Sequence, residues 1–451
     1  MPVLKKKRKT LAPAQTLALG FLIIILIGAF LLCLPFSSKS RSFTDFVDCI
    51  FTAASATCVT GISVVDTYTH WSIFGQAVIM ALIQVGGLGF ITLVTFFNLA
   101  MGKKLGFLQA SNAVGDLTMT GLSSTKRIFT RVVLLSFVVE TLGACLLMVR
   151  LVPGYGGYGV FMSFFTAVSA FCNAGFDLFG IEGAGVGMSI FADDPYVLLV
   201  TAAIIIMGGL GFVVWEELLA FRRTKTLSLH SKIVLVMTGL LIAAGTVIYI
   251  IVEATEPEIF GGYSGGQRIY TSFFASVSAR TAGFSAAPLP TANGFSKMIT
   301  ILLMFVGAAP GSTGGGIKVT TIAIVFMTAW SVIKGRDDIR ILKHSIHKQT
   351  VYKTLTVLCL ALVFMVAGFF CVYMLNTETD SLDTLFEVVS AFSTTGFSSG
   401  LSESSGHATK LILSFIMYVG RIGPISLMLS LTGRKTANKN EILPKGEIMV
   451  G

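Results

Sequence analysis

Long apolar runs, each broad enough to cross a bilayer, alternate along this chain with shorter apolar stretches salted with small hydroxyl residues. The first long run covers 14–34 and ends at Pro35. The short stretch FTAASATCVTG follows, ending at Gly61, and a second long run covers about 72–100. The same triplet then recurs three times. Runs 129–150 and 195–221 flank FTAVSAFCNAG, which ends at Gly175. Runs 231–252 and 296–333 flank FFASVSARTAG, ending at Gly283, and runs 352–375 and 410–431 flank FEVVSAFSTTG, ending at Gly396. Each closing glycine is followed by an apolar residue: Ile62, Phe176, Phe284 or Phe397. The glycines lie 114, 108 and 113 residues apart, and self-similarity at a near-fixed period marks repeated structural units. The pattern predicts an all-α membrane protein of eight transmembrane helices. It divides into four helix–re-entrant loop–helix units, 14–100, 129–221, 231–333 and 352–432, between a basic tail (1–13) and a second tail (433–451).

A stretch of about 11 residues is too short to span a bilayer, which needs roughly 20. Set between two spanning runs, it can enter the membrane and return. Its tip then carries irregular backbone at membrane depth, tolerable only where it lines a watery cavity. Four tips meeting on one axis in a pseudo-fourfold arrangement form a ring of carbonyl oxygens able to replace a cation's hydration shell. Aligned on glycine, the tips are Val59-Thr60-Gly61, Asn173-Ala174-Gly175, Thr281-Ala282-Gly283 and Thr394-Thr395-Gly396. One such tip reads as an ordinary glycine turn. Four in register predict an ion-binding filter, with the backbone carbonyls of Gly61, Gly175, Gly283 and Gly396 holding the cation.

The third inner run is different. At 38 residues it would extend about 57 Å as a straight helix, against a hydrocarbon core of about 30 Å. Its middle, GAAPGSTGGGIK, cannot hold a helix, since proline removes a donor and glycine costs entropy. Two half-helices joined by a flexible loop are expected, with Gly311, Ser312, Thr313, Gly314, Gly315 and Gly316 as a gate beneath the ring. The plainer alternative is a packing kink. A phosphate cradle is excluded, because Ile317 separates Gly316 from Lys318 and no strand precedes. Arg421, mid-helix in the last unit, offers five donors to the loop's carbonyls; structural pairing with Glu140 or with a helix C-terminus is the alternative. A bare Arg280 beside a cation filter would repel, so it is expected behind the filter as a structural ion pair with Glu387. Repeated GGLG at 86–89 and 208–211 permits close approach of neighbouring helices or of pore water.

Composition sharpens the class. Hydrophobic residues make up 54% and charged residues 12% of 451, and mean hydropathy is +0.82, which places the chain among polytopic membrane proteins. The net charge of +10 does not point to nucleic acid, because no soluble basic domain or stacking platform accompanies it. Lys and Arg gather in the tails and in the loops joining one unit to the next, including 103–131 and 334–353. That side, with both termini, is therefore cytoplasmic, and the short stretches enter from an acidic outer face. The apolar run behind KKKRK reads as an uncleaved first helix. Seven cysteines, mostly in apolar runs, give neither a disulfide framework nor a metal pattern. His344 and His347 are too few for a metal site. No nucleophile elbow with histidine and aspartate partners occurs, so no enzyme is expected.

The four Phe-x-x-x-Ser stretches ending in glycine, QVGGLGF, the glycine-rich third inner run and VGRIGP at 419–424 together resemble the Trk/Ktr/HKT superfamily of potassium transporters, KtrB-type membrane subunits above all. The resemblance covers nearly the whole chain. It implies potassium uptake through one channel-like pore in the plasma membrane, commonly sodium-dependent. It further implies a homodimer on a cytosolic ring of nucleotide-binding regulatory subunits of the KtrA or KtrC type. Glycine in all four tips goes with potassium in that superfamily, and serine in the first with sodium. The chain has no TVGYG, and each tip keeps one glycine, so looser potassium–sodium discrimination is expected. A sodium-selective or sodium–potassium symporting relative, or an alternating-access solute transporter, are the competing readings.

Overall fold

Two of the short stretches carry side-chain caps in their first turn. Asp45 caps Phe46–Cys58 by accepting from the N–H groups of Val47 and Asp48. Ser264 and Gln267 form a reciprocal capping box on Gly265–Ser278. The computed structural model describes residues 13–89, 122–255, 263–286, 292–336, 338–341 and 344–432. Most of the basic loop 103–131 and both tails lie outside the described residues.

In chain order the principal helices are α1 (Pro13–Cys33), α2 (Phe46–Cys58), α3 (Ile73–Gly87), α4 (Leu122–Cys172), α5 (Pro195–Gly209), α6 (Phe212–Thr224) and α7 (Leu229–Thr255). There follow α8 (Gly265–Ser278), α9 (Gly294–Phe305), α10 (Val319–Ile333), α11 (Lys348–Leu375), α12 (Ser381–Ser393), α13 (His407–Ile422) and α14 (Pro424–Thr432). A two-stranded antiparallel hairpin, β1 (Arg340–Ile341) and β2 (His344–Ser345), joins the third unit to the fourth. Among the described residues, four helices are long and apolar enough to cross a membrane, and two bent pairs reach that length together.

Three expectations need correcting. The outer and short helices of the second unit form one run, α4, bent at Gly156 behind Pro153, where the sequence suggested an intervening loop. The inner runs 195–221 and 410–431 are not single helices. They turn by 98° and 97° at Gly211 and Gly423, whose φ values of 88° and 87° no other residue adopts cheaply. The third inner run breaks as anticipated, leaving 306–318 outside any helix between α9 and α10.

The short helices form the centre. Phe51, Ala53, Ala56, Phe274, Val388 and Ala391 are fully buried, whereas Leu22, Ile27, Phe30, Leu134 and Val363 on the long helices face outward, as lipid contact requires. Polar ties link each unit to the next near the N-terminal ends of the short helices. Gln76, Lys297 and Lys410 each lie four residues past an N-cap (Ser72, Asn293, Gly406). Tyr158 Oη donates to Gln76 Oε1 at 2.9 Å, Lys297 pairs with Asp383 at 2.5 Å, and Lys410 pairs with Asp48 at 2.7 Å. Gln267 donates to Asp193 between the second and third units. The hoop runs 1–2, 2–3, 3–4 and 4–1.

Candidate functional site

The four tips share one unusual backbone. Val59, Asn173, Thr281 and Thr394 all adopt left-handed φ values between 52° and 68°, and the closing glycines follow at φ of 94°, 72°, 74° and 105°. Holding a non-glycine residue there costs about 1–2 kcal/mol, which persists only when the surroundings over-determine it. The motif serine does so. The carbonyls of Ser55, Ser169 and Ser390 accept from the N–H groups of Thr60, Ala174 and Thr395 at 2.7–2.9 Å. In the third unit Ser278 stands one residue nearer its glycine, and its carbonyl accepts from both Ala282 and Gly283 N–H, at 2.9 and 3.2 Å.

The tips meet in a closed order. A Cβ placed on Gly61 would run into the carbonyl oxygen of Ala174, and one on Gly175 would lie 2.8 Å from that of Ala282. A Cβ on Gly283 would strike the Thr395 oxygen, and one on Gly396 the Thr60 oxygen. Each glycine thus abuts the next unit's carbonyl, and the fourth returns to the first. Behind them, Cβ atoms on Gly86, Gly208 and Gly420 would strike the carbonyls of Thr57, Phe171 and Phe392. This is the close packing that GGLG announced. The third unit offers the broken segment at that place.

That segment lies against the tips from the other side. Gly307 donates to Ile317 at 2.8 Å, closing the loop's neck. Ala309 and Thr313 donate to the carbonyls of Gly209 and Gly208, and Thr313 Oγ1 to Phe171 O at 2.9 Å. Cβ atoms on Gly314 and Gly315 would meet the hydroxyls of Thr281 and Thr394, and one on Gly316 would lie 3.1 Å from Ser393 O. Lys318 Nζ curls back to Gly314 O at 2.7 Å. Arg421 donates to Thr313 O and to Gly86 O, and reaches Gly87 O at 3.3 Å. The segment therefore touches units 2, 3 and 4, and Arg421 ties it to unit 1.

One expected pairing is not found, and one alternative pairing is not formed. Arg280 and Glu387 do not pair. Glu387 accepts from Ser398 and Ser402 hydroxyls and from both donors of Ser399, the latter N–H at 2.9 Å, so its oxygens are already satisfied. Arg280 is buried, and its Nε has no partner. Glu140 receives two bonds from Gln84 Nε2, at 2.9 and 3.1 Å, and not Arg421.

Sequence reading missed the residue two places beyond each glycine. Three are serines (Ser63, Ser285, Ser398) and the fourth is Asp177. Asp177 accepts from Phe179 N–H at 3.0 Å. Burial pushes its carboxyl up to about 6; the Phe179 N–H opposes this, and nearby Asp66 adds to it. Asp66 itself accepts from the N–H groups of Thr69 and Gly185. The signal was available: one acid in a column of serines.

Comparison with known proteins bears on this geometry. The model of the family described as TrkH, cation transport protein, matches residues 4–438. The chain belongs to the TrkH cation transport family. It is 37% identical to the Ktr system potassium uptake protein B of Bacillus subtilis, covering 97% of each chain. It is 36% identical to the potassium/sodium uptake protein NtpJ of Enterococcus hirae, over 100% of each. Its fold is similar to the potassium transporter TrkH of Vibrio parahaemolyticus, with a TM-score of 0.68 at 18% identity, covering 95% of this chain and 86% of that one. Family membership makes this a membrane transporter of cations rather than an enzyme.

Proposed function

We propose that the protein takes up potassium ions through a single axial pore, with the ring of tips as the selectivity filter and 306–318 as a gate held shut in this state. The observation that carries the reading is the closed order of glycine–carbonyl contacts, which brings four strained backbones to one axis. Carbonyl oxygens from Thr60, Ala174, Ala282 and Thr395 then replace the water of a passing alkali ion. Eight spans in four units, with both termini cytoplasmic and the tips entering from outside, complete the architecture. The names of the Bacillus and Enterococcus relatives support potassium, and the latter leaves sodium open, as cargo or as a required co-ion. Asp66 and Asp177 draw cations to the outer mouth. Arg421 and Lys318 hold the gate segment and repel cations from the inner half. Release of the gate falls to a nucleotide-binding ring on the cytoplasmic face of a homodimer.

Rubidium-86 influx into proteoliposomes, competed by potassium and by sodium, tests this. Potassium should displace rubidium at far lower concentration than sodium. Equal competition would favour a sodium-selective relative, and saturation by an organic solute would favour alternating access.

A further inference from the structure

One buried cation has no use in this state. Arg280 is only 7% exposed, and among the described residues its guanidinium makes no hydrogen bond or ion pair. It faces a small cavity lined also by Asn173, Ile205, Gly209, Thr238 and Ala308. The Thr238 hydroxyl is buried there without a partner as well. Ala308 belongs to the first arm of the gate segment, and Gly209 holds the next residue of that arm through Ala309 N–H, at 3.1 Å. An idle five-donor group and a cavity thus adjoin a glycine-rich segment. An unpaired charge at membrane depth is expensive, and such a cost persists where another state repays it.

We propose that Arg280 is the open-state receptor of the gate. This deepens, and rests on, the gating reading above. When Arg421 lets go of Thr313 O, the first arm shifts toward Arg280, whose cavity as it stands has room for about one water, and its carbonyls accept from the guanidinium. Pro310 has most to gain, since its carbonyl accepts nothing among the described residues. Arg421 and Arg280 then bias one two-state element in opposite directions, each through contacts that exist in one state only.

The test uses the full chain, produced with its cytosolic regulatory subunit in cells lacking other potassium uptake. Variants Arg280→Met, Arg280→Lys and Arg421→Ala are compared for leak without the regulator, for stimulated uptake, and for melting temperature after purification. Arg280→Met should cut stimulated uptake about tenfold or more without raising the leak. Its melting temperature should hold or rise, because an unpaired buried charge has been removed. Arg280→Lys, keeping donors, should recover part of the uptake. A fall in melting temperature with unchanged uptake per folded molecule would make Arg280 a brace and overturn the proposal, as would a raised leak. An Arg421→Ala protein with no raised leak would instead sink the gating reading itself, whatever Arg280→Met does.

Discussion

Replacing Arg421 by alanine removes the bonds its guanidinium makes to Thr313 O, Gly86 O and Gly87 O. Only the first reaches the gate segment; the other two hold an inner helix in either state. A hydrogen bond to a charged group is worth about 1.5–3 kcal/mol. Every 1.4 kcal/mol is a factor of ten, so the closed-to-open ratio should fall roughly 10- to 150-fold. Loss of the positive charge in the inner half acts in the same direction. The assay is rubidium-86 leak from proteoliposomes without any regulator, normalised to folded protein. Arg421→Lys, a point charge without the fork, should fall between wild type and alanine. Wild-type leak in Arg421→Ala, with the protein folded, would refute the reasoning, because it would mean the Thr313 bond does not favour the closed state.

Gly283→Ala should reduce potassium flux and its preference over sodium, since φ of 74° strains any side chain and the new Cβ strikes the Thr395 carbonyl. Competition of rubidium influx by sodium measures it. Lys410→Ala should destabilise the protein by about 1–3 kcal/mol, less than a fully buried pair because Asp48 keeps some solvent; the melting midpoint reports it. A Lys410→Asp, Asp48→Lys double variant should recover part of that loss. Uptake should fall as external pH drops through about 6, because protonated Asp177 no longer adds negative potential at the mouth. Asp177→Asn should show the lower rate at all pH values and lose that step.

The repeated units were legible because lipid imposes long apolar helices and glycine marks each tip. The ring itself was legible from four glycines in register, and the break at 306–318 from proline and glycine density. The turns at Gly211 and Gly423 were not, since a glycine inside an apolar run reads equally well as helix packing; Gly89, which closes the same GGLG string as Gly211, also takes a positive φ, of 72°. Positive φ at Val59, Asn173, Thr281 and Thr394 was hidden because none of the four is a glycine; each helix end is closed there by a local bond to the motif serine carbonyl. The Arg280–Glu387 expectation failed because it matched charges and overlooked the serines at 398, 399 and 402, which satisfy a carboxylate equally well. The ties between units escaped notice because their partners are distant in sequence, Lys410 and Asp48 lying 362 residues apart.

Anomalous diffraction from crystals grown in thallium tests the central claim most directly, because thallium replaces potassium and marks its own position. The account predicts a peak on the axis among the carbonyl oxygens of Thr60, Ala174, Ala282 and Thr395. Thallium bound elsewhere, with no peak inside that ring, would contradict it.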